Sequence, residues 1–260
     1  MKPEAYSHLV LVVMAIAIYG CKPLESPVND MEKSEPVIEQ QTPKSSNVAA
    51  STPLSVNGAL SESGKVTLTA GDVSLELSAS GCREETDTIQ YCAGPVRLML
   101  TKGGGSSQQI DLPSLYFDNQ ASVYRGVIDE TYKLRGHSLI LSDVNADGHQ
   151  DLLVWSGKEG AYGGPSYDVY VFDPADGKFV HDQDFSDLTV GYNGLFFVEK
   201  DGIRAVSSEG CCLHVTDTYE IRRGKPVLVK RVTEDDGGGD GQAMKKVERL
   251  VNGEMKEVQE

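Results

Sequence analysis

Between residues 66 and 258 a turn dipeptide recurs at short intervals, and each one separates two runs in which apolar and polar residues alternate. Gly71-Asp72 parts Val66, Leu68 and Ala70 from Val73, Leu75 and Leu77. The same grammar joins Tyr167, Val169 and Val171 to Phe179 and Val180 across Asp176-Gly177, and Leu195 to Val198 with Ile203 to Val206 across Asp201-Gly202. It continues with Val215 to Ile221 and Val227 to Val232 across Arg223-Gly224, and with Val247 to Val251 and Glu254 to Val258 across Asn252-Gly253. A glycine run at 103–105 divides Val96 to Leu100 from Ile110 to Leu112 in like manner. A period of two belongs to strands buried on one face, and Asn-Gly provides the two positive φ angles of a type I′ hairpin turn. No long helical period follows the first twenty residues. The chain is therefore expected to be all-β, a meander of antiparallel hairpins. At about 40 residues per blade, its roughly 200 folding residues suggest a propeller-like domain of about five blades around one core.

One hairpin carries a chemical pattern. Asp143-Val-Asn-Ala-Asp-Gly-His-Gln-Asp151 sets oxygen donors at alternate positions and bends at Gly148. A hard cation takes six to eight oxygens, and Asp143, Asn145, Asp147, the backbone carbonyl of His149 and Asp151 can offer them. An EF-hand would need a Glu at the twelfth position and flanking helices. That position is Val154, and the flanks, Leu139-Ile-Leu141 and Leu152-Leu-Val154, read as strands. The site resembles the β-hairpin Ca²⁺ loops of FG-GAP-type repeats.

The N-terminus speaks to compartment. An apolar run from Leu9 to Ile18 behind Lys2 is too short to span a bilayer but suits a signal peptide, expected over residues 1–20. Ile18-Tyr-Gly-Cys21 resembles a bacterial lipobox, which makes Cys21 the lipidated first residue of the mature chain. Lys22 follows where Asp would signal inner-membrane retention, so an outer-membrane lipoprotein facing the periplasm is expected. Residues 21–56, rich in Pro, Ser, Glu and Gln and free of aromatics, read as a disordered tether with a reach of roughly 30 Å, leaving 57–260 for the folded domain. The 39 acidic and 24 basic residues give a formal charge of −15, which disfavours nucleic acid and favours basic protein partners.

Four cysteines remain after Cys21. Cys82 and Cys92 bracket a polar excursion and make the better disulfide pair, worth about 2 to 3 kcal/mol in a chain-entropy account. Cys211 and Cys212 are adjacent, and a bond between them is strained; other connectivities stay open. His137, His149, His181 and His214 lack ligand spacing, and neither G-x-S-x-G nor H-E-x-x-H occurs. No catalytic constellation is visible, so the chain is expected not to be an enzyme, although a carboxylate pair brought together only in space would escape this reading.

Asp143 to Leu152, Tyr170-Val-Phe-Asp-Pro-Ala-Asp-Gly-Lys-Phe179, Tyr219-Glu-Ile221 and Val227-Leu-Val229, together with the lipobox and tether, resemble a family of bacterial envelope proteins. These are the lipoprotein immunity proteins that accompany peptidoglycan-hydrolase effectors of bacteria-killing type IV secretion systems in xanthomonads and relatives. The resemblance covers about half of the expected domain, from Leu141 to Val232. It implies a calcium-binding, propeller-like fold that inhibits a lysozyme-like toxin in the periplasm. The glycine-rich stretch 156–166 is then the candidate inserting loop, with Ser156, Lys158, Glu159 and Tyr162 facing the toxin's sugar site and the calcium loop stiffening its base. A calcium-bearing adhesion or scaffold lipoprotein is the alternative, and an envelope hydrolase the more remote one.

Overall fold

Two strands in the middle of the chain have apolar residues at consecutive positions instead of every second one, and the fold is arranged around them. They are Leu139–Ser142 and Asp151–Gly157, fully buried at nearly every residue. A strand reads this way when both of its faces are covered. In the computed structural model, which describes residues 52–132, 136–200, 202–237 and 243–259, alternate side chains of these strands enter two separate cores. The lipobox Cys21, the signal peptide and the tether up to residue 51 lie outside the described residues.

In chain order the strands are β1 (Leu54–Val56), β2 (Lys65–Ala70), β3 (Val73–Ala79), β4 (Cys82–Glu84), β5 (Ile89–Cys92), β6 (Val96–Lys102), β7 (Ser107–Leu112), β8 (Leu115–Asp118) and β9 (Val123–Arg125). There follow β10 (Leu139–Ser142), β11 (Asp151–Gly157), β12 (Ser166–Asp173), β13 (Lys178–Asp182) and a short helix α1 (Gln183–Asp187). The last are β14 (Phe197–Glu199), β15 (Gly202–Glu209), β16 (Leu213–Arg222), β17 (Lys225–Asp235), β18 (Met244–Val251) and β19 (Glu254–Val258). They form four sheets, ordered β1-β9-β10-β11-β12-β13, β14-β15-β16-β17-β18-β19, β2-β3-β6-β7 and β4-β5-β8.

The all-β expectation holds, and each hairpin read from the sequence is present. At the last one Asn252 and Gly253 take φ of 53° and 86°, the two positive angles the dipeptide promised. Other features depart from a simple meander. β9 and β10 pair in parallel, and β1 lies beside β9, far from it in sequence. The folded domain also starts before residue 57, because Leu54 to Val56 align with Arg125 to Val123 as a sheet-edge strand. Leu195 and Phe196, expected in a strand, precede β14 and go into a core instead.

The division of labour within the central sheet is read residue by residue. Leu139, Leu141, Leu152 and Val154 pack with Leu68, Leu75 and Leu98 of the β2-β3-β6-β7 sheet. Ile140, Leu153, Trp155 and Val169 face Phe185, Phe196, Ile203 and Ala205. Each fully buried side chain of this kind contributes about 1.5 to 3 kcal/mol, so β11 is held from two directions. Both loops of interest spring from its ends.

Candidate metal loop and partner-binding loop

The loop at the front end of β11 is closed by the pair Ser142 and Asp151. Inside it the side chains accept from the loop's own amides. Asp143 takes Asp147 N at 3.2 Å and Gly148 N at 2.9 Å, Asn145 takes Asp147 N at 3.1 Å, and Asp147 takes His149 N at 2.7 Å. Ala146 and Gly148 adopt positive φ, which turns the chain tightly enough for these bonds. Asp151 differs from the others. It is fully buried, its Oδ2 accepts from Val144 N at 2.9 Å, and its Oδ1 accepts from Phe172 N at 2.8 Å, tying the loop to β12. Burial, reinforced by the charges of Asp147 and Asp143, pushes the Asp151 carboxyl up to about 7. Burial likewise raises Asp143, partly opposed by the Gly148 amide and helped by the charge of Asp147.

Among the described residues no three His, Cys, Asp or Glu side chains converge on a point that would hold an ion. The donor chemistry nevertheless fits a hard cation, for it is all oxygen. A carboxylate offers about four lone-pair sites, so an oxygen that accepts one amide is oriented by it and not exhausted. His149 contributes nothing through its ring here, which lies 5.4 Å from Phe172.

At the other end of β11 a register shift at Ser156 turns the chain out of the sheet. The indole N–H of Trp155 donates to Gly157 O at 2.7 Å, and Ser114 Oγ donates to Ser156 O at 2.7 Å. The stretch beyond is tightly cross-bonded. Gly160 N donates to Gly164 O at 3.0 Å, Ala161 N to Tyr192 O at 2.7 Å, and Gly191 N to Glu159 O at 2.8 Å. A side chain at Gly160 would meet the carbonyl oxygens of Gly164 and Pro165 at 2.8 and 2.9 Å, so the close approach demands glycine.

Of the four side chains expected to face a partner, Lys158 and Glu159 are tied to neighbouring side chains and Ser156 is partly buried. Lys158 Nζ lies 2.5 Å from Glu85 Oε1 and over the Tyr116 ring, Glu159 accepts from Ser166 Oγ, and Ser156 sits at the bulge. Tyr162 is the exposed aromatic among them. It is 77% exposed at a φ of 56°, a left-handed conformation rare for a bulky residue, and its hydroxyl donates to Gly210 O at 3.2 Å.

Beside Tyr162 opens a cavity of about 540 Å³, lined by Tyr132, Tyr167, Asn193, Leu195, Ser208 and His214 among others. None of these was marked as a site by the sequence, because they come from four separated stretches and share no motif. The disulfides also belong to this description. Cys82 is bonded to Cys92, its cross-strand partner in β4 and β5, and Cys211 is bonded to Cys212 in the turn between β15 and β16.

Fold and site together define a class: an all-β protein that displays a braced loop from a doubly buried strand. No family model matches the chain, and no curated protein does. A solved structure does: a Xanthomonas type IV secretion system related protein, 42% identical, with a TM-score of 0.77, covered over its full length by 81% of this chain. The chain belongs to the family of that protein.

Proposed function

We propose that the chain is a lipid-anchored, periplasm-facing immunity protein that binds and inhibits a lysozyme-like peptidoglycan hydrolase. The observation that carries the reading is the presentation of Tyr162: an aromatic side chain held out in a strained conformation by a hydrogen-bonded loop. Strain of this kind persists where function uses it, and a rigid tyrosine anchor loses little entropy when a cleft closes around it. Kinship with a type IV secretion system related protein agrees with a role beside a secreted effector. The charge of −15 suits capture of a basic wall hydrolase and speeds encounter.

In this reading the chain blocks a reaction instead of performing one. Tyr162 enters the glycan cleft, while Lys158 and Glu159 brace the loop through Glu85 and Ser166. Asp143, Asn145, Asp147, the His149 carbonyl and Asp151 hold Ca²⁺, which neutralises their mutual repulsion and stiffens β11 at its base. Cys21 carries the lipid, and a propeller-like arrangement of the four sheets belongs to the same proposal.

The test is hydrolysis of purified peptidoglycan by lysozyme-like hydrolases of the same genome. Wild-type protein should inhibit, and Tyr162→Ala should weaken inhibition roughly 30-fold, the loss expected of a central aromatic anchor. Failure of the wild type to bind or inhibit any hydrolase of the same genome would favour the adhesion or scaffold alternative.

A further inference from the structure

The cavity beside Tyr162 is not used by the inhibitory reading, in which the tyrosine points into a partner. We infer that this cavity is a binding site for a neutral pyranose sugar. Its volume of about 540 Å³ falls within the range of small-molecule sites. The kinds of surface it offers are what selects the ligand.

Three tyrosines line it, and each has its hydroxyl committed elsewhere: Tyr132 to His137 Nδ1 at 3.0 Å, Tyr167 to His137 O at 3.0 Å, and Tyr162 to Gly210 O at 3.2 Å. Tyr132 and Tyr167 are almost fully buried, so the ring surface left to meet a ligand is chiefly that of Tyr162, with Pro165 beside it. The β15 and β16 side supplies a polar ladder instead. Asn193 Nδ2 donates to Ser208 Oγ at 2.6 Å, and Ser208 Oγ lies 3.0 Å from His214 Nδ1. The Asn193 carboxamide oxygen is buried and has no hydrogen-bond partner, a cost that a donor brought by a ligand would relieve.

A pyranose matches both kinds of surface, since its C–H faces are apolar and its rim carries hydroxyls that donate and accept. Charge narrows the choice further. Among the described residues the lining contains no Lys, Arg, Asp or Glu. From these residues an ionic ligand would gain no fixed counter-charge to offset its lost hydration. An N-acetylated hexosamine is favoured within the class, because its amide N–H adds a donor for Asn193 and its methyl adds apolar contact.

The inference stands apart from the immunity reading, and the experiment separates the two. Full-length protein is titrated by calorimetry with the neutral trimer of N-acetylglucosamine, with glucuronate as the anionic comparison. Tyrosine ring resonances are followed by NMR in the same titration. Saturable binding of the trimer with shifts of the Tyr132 and Tyr162 rings is expected, together with no binding of glucuronate. Asn193→Ala and the half-exposed His214→Ala should each weaken it about tenfold, the loss of one hydrogen bond with unchanged melting temperature. His214→Ala, on an exposed rim, serves if Asn193→Ala does not fold. Absence of saturable binding, equal affinity in wild type and His214→Ala, or tighter binding of glucuronate would each overturn the inference. Hydrolase inhibition measured on the same samples reports the loop independently.

Discussion

The two ends of β11 solve opposite problems with the same strand. At Asp151 the chain draws a carboxylate inside and satisfies it with two amides from different hairpins. At Ser156 to Tyr162 it pushes an aromatic ring outside and pins the backbone beneath it. A buried carboxyl group holds the fold together only while its partners stay in place, whereas an exposed ring on a strained backbone adds no stability and is kept for contact. The difference teaches that the first loop should report on stability and the second on binding.

The largest expected effect is at Asp151. Asp151→Ala strands the amides of Val144 and Phe172 in the interior, and each lost partner costs about 1 to 3 kcal/mol. A destabilisation of about 3 kcal/mol in urea unfolding is expected in EDTA, and a larger one in calcium, where a metal ligand is lost as well. A loss below about 0.5 kcal/mol would show that the clamp carries nothing. The pH dependence follows from the same residue. With its folded carboxyl at about 7 against an ordinary 3.8, Asp151 keeps a proton that the unfolded chain releases. The unfolded state then binds fewer protons, so metal-free stability should fall as pH rises from about 4 to 7. Saturating Ca²⁺ should remove or reverse that slope.

Next in size is the metal itself. At a free concentration near 100 times Kd, Ca²⁺ should add about 2.7 kcal/mol through linkage, and Asp147→Ala should abolish the gain while changing stability in EDTA much less than Asp151→Ala does. Identical melting curves for wild type in calcium and in EDTA would remove calcium from the account and leave the loop a hydrogen-bonded hairpin.

The partner loop should show the reverse profile. Tyr162→Ala is expected to cost about 2 kcal/mol of hydrolase affinity while moving the unfolding free energy by no more than about 0.5 kcal/mol. Relief of backbone strain opposes loss of the Gly210 contact. A large stability change with unaltered affinity would exchange the roles assigned to the two loops. Smallest is Gly160→Ala, where backbone oxygens of Gly164 and Pro165 cannot yield easily. About 1 kcal/mol of stability should be lost, with inhibition weakened through the displaced loop and not through a missing contact.

The hairpins were legible in the sequence because a strand buried on one face writes a period of two and its turn writes Gly, Asn or Asp. The donor spacing of Asp143 to Asp151 was legible for a similar reason, since a short loop places its own residues. Legibility stopped where neighbours in space are distant in the chain. Nothing near Leu54 announced that it would edge a sheet beside Val123 to Arg125, and nothing near Lys158 named Glu85 as its partner. The unbroken apolar runs in β10 and β11 did hint at burial on both faces, but not at which sheets would cover them.

The sequence by itself therefore determined the class of structure, the turns, the oxygen-donor loop and the glycine-rich stretch, because each depends on interactions within a few residues. Tertiary structure decided that Asp151 is a buried clamp, that Tyr162 is the exposed aromatic of the loop, and that Asn193, Ser208 and His214 share a cavity with three tyrosines. Those outcomes depend on burial and on long-range pairing, and a one-dimensional pattern carries no record of which surfaces meet.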